Sequence, residues 1–478
     1  MTKTHIRSIL IAHVLLLVNI TLVSCREPAL AWMNDVGAKS FPDTTDVYLV
    51  NDFGAINNGL ILATDAIQQA IDQCAANGGG RVTFEPGVYL TGAVFLKSNV
   101  NLHIEKEVEL RGVIGLEEYP EIHTRVAGIM MDWPAAIINV LEQENVALTG
   151  TGTIHAQGRY HWERYWKMRT EYTPKGLRWV SDYDCKRVRT ILVSDSKHVT
   201  VKDMNLKQAG FWTIHVLFSS HVTVDGVNIN NNIDGHGPST DGIDIDSSSK
   251  ILVQNCKIDC NDDNVCLKSG RDADGLRVNR PTEFVVVRNC ISYQGGGLIT
   301  FGSETSGGIR NVVVDNLEAY GTTTAIRLKS ALSRGGGLSD IYISNIRMED
   351  VRVPMEVTLN WNPSYSYASV ENEVEDLPDH WIKLLEPVAP EDGIPVFRNV
   401  NLSNITATGA AMGLNVTGTG ESYLENFTFR DIHIACKKAG RISYTKDWTF
   451  KNVEIISENG EGLVRKENIN MTSRRSAL

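Results

Sequence analysis

Three aspartates pose the chemical question. Asp241 sits in Ser239-Thr240-Asp241-Gly242, and Asp262 and Asp263 follow about 21 residues later in Asn261-Asp262-Asp263-Asn264. Breaking a glycosidic bond takes a proton donor and a base or nucleophile, commonly two carboxyl groups. Carboxylates crowded into one site raise at least one pKa, which keeps an acid available near neutral pH. Downstream come Arg327 and Lys329, alternate residues of one strand face, with Lys268 and Arg310 as further cations. Cations beside carboxylates suit an anionic sugar such as a uronate. Taken singly, an Asp-Asp pair in an Asn-rich turn is usually a solvated turn, and an Arg/Lys alternation is usually surface. Their order and spacing carry the argument.

That spacing has meaning only if the chain repeats, and it does. A pattern of apolar, any, apolar, any, Asn or Asp, apolar recurs. It runs as Val199-Val201-Asp203-Met204, Val222-Val224-Gly226-Val227, Ile251-Val253-Asn255-Cys256, Val285-Val287-Asn289-Cys290, Val312-Val314-Asn316-Leu317 and Ile341-Ile343-Asn345-Ile346. It resumes as Val400-Leu402-Asn404-Ile405, Phe427-Phe429-Asp431-Ile432 and Trp448-Phe450-Asn452-Val453. Starting points lie roughly 21 to 34 residues apart, save one gap of 59. Period-two alternation marks short strands with one face inward. The Asn or Asp marks a turn that tolerates left-handed backbone and can bond along a stack. One unit cannot bury its own apolar face, so units must pile up. The expected fold is all-β, a single right-handed parallel β-helix. One winding separates Asp241 from Asp262, and two more lead through Gly295-Gly296-Gly297 to Arg327.

At the N-terminal side, Thr64 is placed to cap a helix over Asp65 to Ala76. Ala66, Ile67, Ala70, Ile71 and Cys74 form one stripe of it. Such a helix would cover the first winding and block edge pairing. Two stretches break the rhythm. Residues 155–188 carry Tyr160, Trp162, Tyr165, Trp166, Tyr172, Trp179 and Tyr183, and residues 359–395 carry Trp361, Tyr365, Tyr367 and Trp381. Both read as long loops that wall a groove. Their aromatics either stack on sugar or pack the loops down.

A formal net charge of −11 argues against a nucleic-acid partner. An acidic enzyme acting on a polyanion must place basic residues locally, the role given to the cations above. Residues 1–24 read as an export signal: Lys3 and Arg7 precede the apolar run Ile9 to Val18. Leu22-Val23-Ser24-Cys25 resembles a bacterial lipobox with Cys25 as the lipidated residue. The expected products are an outer-membrane or periplasmic lipoprotein, a simple secreted protein being the alternative, and a membrane partner only through that anchor. Residues 25–45 read as a linker, 46–460 as the β-helix and 461–478 as a tail; a monomer is expected. The other seven cysteines lack paired zinc spacing and suit small core positions, with a disulfide open within the 256–266 cluster.

The chain resembles glycoside hydrolase family 28, the polygalacturonases and rhamnogalacturonan hydrolases, over about residues 46 to 455. The matching pieces are Asn51-Asp52-Phe53-Gly54-Ala55, Ser239-Thr240-Asp241, Asp262-Asp263, Phe301-Gly302-Ser303-Glu304 and Arg327-Leu328-Lys329. The family pattern is Asn-Thr-Asp, Asp-Asp, Gly-His-Gly and Arg-Ile-Lys. The resemblance implies inversion, with Asp262 as general acid and Asp241 with Asp263 activating water. Arg327 and Lys329 would hold the uronate, and the carboxyls would stand about 6.5–9.5 Å apart. It implies a pectic polysaccharide or oligosaccharide as substrate, and no metal or other cofactor. Ser239 departs mildly from the pattern. Gly296 stands where the family has His, for which His215 and His236 are candidate replacements. The long insertions favour attack at chain ends. The competing readings are a β-helix lyase, in which the aspartates would bind calcium, and a non-catalytic carbohydrate-binding solenoid.

Overall fold

A computed structural model describes residues 28–370 and 376–478. The chain divides into two units, Met1–Asp35 and Val36–Leu478. In the first, Pro28–Asp35 forms a 3-10 helix; Cys25 and the export signal lie outside the described residues. The second is the right-handed parallel β-helix. Among the described residues, 32 strands join one continuous parallel sheet system, and one antiparallel hairpin, Glu121–Val126 with Ile129–Pro134, stands apart.

The repeat positions stack as their alternation requires. Ile251 pairs with Val285, Val285 with Val312, Val312 with Ile341, Ile341 with Val400, and Val400 with Phe427. All are buried. Each such side chain withdrawn from water contributes roughly 1.5–3 kcal/mol. Near the C-terminal end the column turns aromatic. Phe427 stacks on Trp448 at 4.7 Å and Phe429 on Phe450 at 4.8 Å, close to the spacing between neighbouring strands.

The turn positions behave as their residue types dictate. Asp203, Asn255, Asn289, Asn316, Asn345, Asn404, Asp431 and Asn452 all take positive φ, between 53° and 61°. Gly226 does so at the one repeat with neither residue. The amides then bond along the axis: Asn316 Nδ2 donates to Asn289 Oδ1 at 2.8 Å, and Asn452 Nδ2 to Asp431 Oδ1 at 2.7 Å.

The capping helix runs Thr64–Ala76 and buries Ile67, Ala70, Ile71 and Cys74. Thr64 is its first residue and not its cap. Its hydroxyl accepts the Gly92 N–H at 2.8 Å, which ties the helix to the first winding. The stretch beyond 460 is not a loose tail: Val464–Ile469 and Thr472–Arg474 pair in parallel with the preceding winding. The seven cysteines among the described residues are free thiols, all buried. No helix there is long and apolar enough to cross a membrane.

Candidate active site

Register decides what the windings bring together. Ile243 pairs with Val265, so Asp241, two residues before Ile243, falls level with Asp263, two residues before Val265. The Gly242 N–H donates to Asp263 O at 2.9 Å and locks that alignment. One oxygen from each of Asp241, Asp262 and Asp263 lies within 4.8 Å of the others. These nearest oxygens stand closer than the 6.5–9.5 Å that the resemblance suggested between carboxyl groups. The following strands pair Cys266 with Thr300, Thr300 with Arg327 and Arg327 with Glu356. That column delivers Arg327 and Lys329 beside the aspartates.

The contacts assign each carboxyl a state. Asp263 Oδ2 takes Lys329 Nζ at 2.8 Å, and Oδ1 takes the Thr300 hydroxyl at 2.8 Å with Arg327 Nη1 at 3.6 Å. Burial favours its neutral form, but Lys329, Arg327 and Lys268 outweigh that and hold the carboxyl below the usual range. Asp262 Oδ1 accepts the Asp263 N–H at 3.0 Å. Burial, then the Asp263 charge, raise its pKa. Asp241 is also raised, by burial, then Asp244 and Asp262. Within the Asp241, Asp262 and Asp263 trio, one pKa is lowered by its cations and two are raised by burial and neighbouring carboxylates.

Lys268 is not a free cation facing solvent. Its Nζ sits 3.6 Å from Asp241, 3.5 Å from Asp244 and 3.5 Å from Glu304, above the Trp212 ring at 4.8 Å. It binds the carboxyl cluster together. A divalent ion could reach the oxygens of Asp241, Asp262 and Asp263, but Lys268, Lys329 and Arg327 already supply countercharge there.

Two expected residues fall elsewhere. Arg310 belongs to Ile309–Tyr320, a strand on another face of the solenoid, where it pairs with Glu283 at 2.8 Å. It does not line the cleft. His215 occupies the correct column, opposite Asp244. It is fully buried beneath Trp212, with Arg189 Nη1 at 2.9 Å and Asp246 at 3.7 Å. No route leads from its ring to a substrate. His236 packs near Trp166 and pairs with Glu163 at 3.3 Å, so neither histidine replaces the missing one. Gly296 sits close against the site: a Cβ there would meet Asp263 Oδ1 at 3.3 Å, tighter than ordinary contact, and Arg327 Nη1 at 3.5 Å.

The cleft around this cluster has a cavity volume of about 70 Å³, small beside typical ligand sites. Sequence reasoning assigned no role to several of its walls: Trp212, Glu304, Asp182 and Arg178. Glu304 was visible in the Phe-Gly-Ser-Glu motif. Asp182 and Arg178 had no signal, because they come from the first insertion. That insertion is helical over Arg159–Tyr172 and Ser181–Asp184, not a loop. Trp162, Tyr165, Trp179 and Tyr183 pack it down. The second insertion brings Trp361, 4.3 Å above Lys329 Nζ, and Tyr365. The two insertions touch. Arg178 lies 5.1 Å over the Tyr365 ring, and Trp179 Nε1 donates to Ser369 O at 3.0 Å. Asp184 accepts from Trp381 Nε1 at 2.9 Å and pairs with His380 at 2.6 Å.

Known proteins share this architecture. A probable polygalacturonase of Vitis vinifera is 27% identical over 419 residues, covering 85% of this chain and 77% of its own. An exo-poly-alpha-D-galacturonosidase of Dickeya chrysanthemi is 22% identical, covering 86% and 74%. The crystal structure of a Thermotoga maritima exopolygalacturonase matches 93% of this chain and 96% of its own with a TM-score of 0.71 at 24% identity. The model of glycosyl hydrolases family 28 matches residues 86–375, which takes in the aspartates, Gly296 and the Arg327/Lys329 pair. This chain therefore belongs to glycosyl hydrolase family 28.

Proposed function

We propose that the protein hydrolyses α-galacturonosyl linkages of pectin, attacking chain ends and inverting the anomeric centre. Asp262, holding a proton, gives it to the leaving oxygen. Asp263, kept ionised by Lys329 and Arg327, draws a proton from water that Asp241 helps to orient. Arg327 and Lys329 face the uronate next to the broken bond. One observation carries this reading: Asp263, held by Lys329 and Arg327, shares a cleft with Asp262, which pairs with no cation among the described residues, their oxygens within 4.8 Å.

Two further features bear on the details. As a nucleophile, Asp263 would have to give up its contacts with Lys329, Thr300 and Arg327, and those contacts weaken it as one. Activation of water, and so inversion, fits better. The meeting of the two insertions beside Asp241 favours removal of terminal units. The similarity to an exo-poly-alpha-D-galacturonosidase of Dickeya chrysanthemi supports the same choice. Export with a lipid on Cys25 belongs to this proposal too, since the polymer is too large to enter a cell.

The test is product analysis on polygalacturonate and on rhamnogalacturonan backbone, with proton NMR of the first-formed anomer. Release of monogalacturonate as the β-anomer is expected. An unsaturated product absorbing in the near ultraviolet would mean a lyase, and no product would leave the binding-solenoid reading.

A further inference from the structure

The first insertion places a second cationic centre in the cleft. Asp182 is buried and receives two guanidinium groups, Arg178 Nη1 at 2.8 Å and Arg187 Nη2 at 2.9 Å. It also accepts the Ser239 hydroxyl at 2.8 Å, next to the Asp241 winding. Two arginines therefore share one carboxylate, and of the two only Arg178 lines the cleft.

The two arginines are not equivalent. Arg187 is fully buried and spends its remaining donors on Pro238 O at 2.8 Å and Cys185 O at 3.3 Å. Arg178 lines the cleft, with its side chain 14% exposed. Its Nη1 serves Asp182 and the Ser181 hydroxyl. Its Nε is buried without a partner among the described residues. The guanidinium carbon stands 5.1 Å from the centre of the Tyr365 ring, which backs it from the other insertion. A planar fork held on a ring, with donors to spare, suits a carboxylate.

We infer that Arg178 is the specificity determinant for the chain end, binding the carboxylate of the terminal uronate sugar. This rests on the end-attacking reading above. It separates the work of the two cationic centres. Arg327 and Lys329 face the sugar on the leaving side of the bond to be broken, and Arg178 faces the terminal sugar to be released, so that only chains ending in an acid are admitted. A neutral terminal sugar would offer Arg178 no carboxylate.

The test compares trigalacturonate with a trisaccharide whose non-reducing terminal unit is galactose. The native enzyme is expected to prefer the acid-terminated substrate by about 10- to 100-fold in kcat/KM, the worth of a charged hydrogen bond. In Arg178→Gln that ratio is expected to fall to near 1, and in Arg178→Lys to an intermediate value. The lysine variant keeps the Asp182 pair, so it also serves should Arg178→Gln fold poorly. A native ratio near 1, or a ratio unmoved in both variants, overturns the inference. Calorimetric titration of trigalacturonate into Asp262→Asn, with and without Arg178→Gln, reads binding without turnover. Loss of affinity on adding Arg178→Gln supports the inference even if the hydrolase reading fails, and equal affinity overturns it even if that reading stands.

Discussion

Lys329 Nζ lies 2.8 Å from Asp263 Oδ2, although 66 residues separate them in the chain. Two windings of the solenoid close that gap. The contact fixes which carboxyl at this site is charged, and most of the expected behaviour follows from it.

Asp262→Asn removes the proton donor and leaves the cleft's shape. We expect kcat to fall by about 10²- to 10⁴-fold, the usual worth of a general acid, with KM little changed. Steady-state kinetics checks this. A variant that retained native turnover would remove Asp262 from the mechanism.

The pH profile follows from opposite shifts. Asp262 must hold its proton, and its pKa is raised, so activity fails on the alkaline side above the ordinary carboxyl range. Asp263 must be ionised, and its pKa is lowered, so activity survives well into acid. Lys329→Met removes the contact that depresses Asp263. The acid limb of kcat/KM should then move to higher pH, while the alkaline limb shifts little.

Gly296→Ala probes the space beside the base. Its Cβ would sit 3.3 Å from Asp263 Oδ1, slightly tighter than ordinary contact, with no conflict in φ. The fold should tolerate it, with an unchanged melting temperature. Asp263 is pinned and must yield a few tenths of an ångström, so kcat should drop by about 3- to 10-fold.

Asp184→Ala should loosen the second insertion, because Asp184 holds both His380 and Trp381. With the insertions parted, longer products should appear beside monogalacturonate in chromatograms of digested polygalacturonate. An unchanged product pattern would show that this fastening does not set the mode of attack.

His161 and His215 are buried, and burial lowers both pKa values to about 4. Their unfolded values are near 6.5. The unfolded chain therefore takes up protons first as pH falls. Stability should decline between about pH 6.5 and 4, by roughly 3 kcal/mol for each histidine. His161→Phe should flatten part of that decline in a melting-temperature series.

The sequence carried the solenoid because its rule is local: an alternating strand, then an Asn or Asp that accepts left-handed backbone. The aspartates and the Arg327/Lys329 pair were legible because whole windings separate them. Arg310 misled because a repeat gives the winding but not which face of it a residue occupies. His215 misled differently, since it stands in the predicted column but lies under Trp212. Arg178 and Asp182 could not be read at all. They sit in an insertion with no repeat, and Asp182 meets Ser239 across 57 residues.

On the end-attacking reading proposed above, the contact between the insertions closes one end of the cleft and leaves a passage with a single mouth. A sugar freed at its inner end has to back out through the opening by which the polymer entered, and the shortened polymer has to withdraw first. Each catalytic cycle therefore finishes with complete dissociation. An enzyme so shaped cannot thread along a strand, and it will nibble at many ends in parallel instead of consuming one chain to completion.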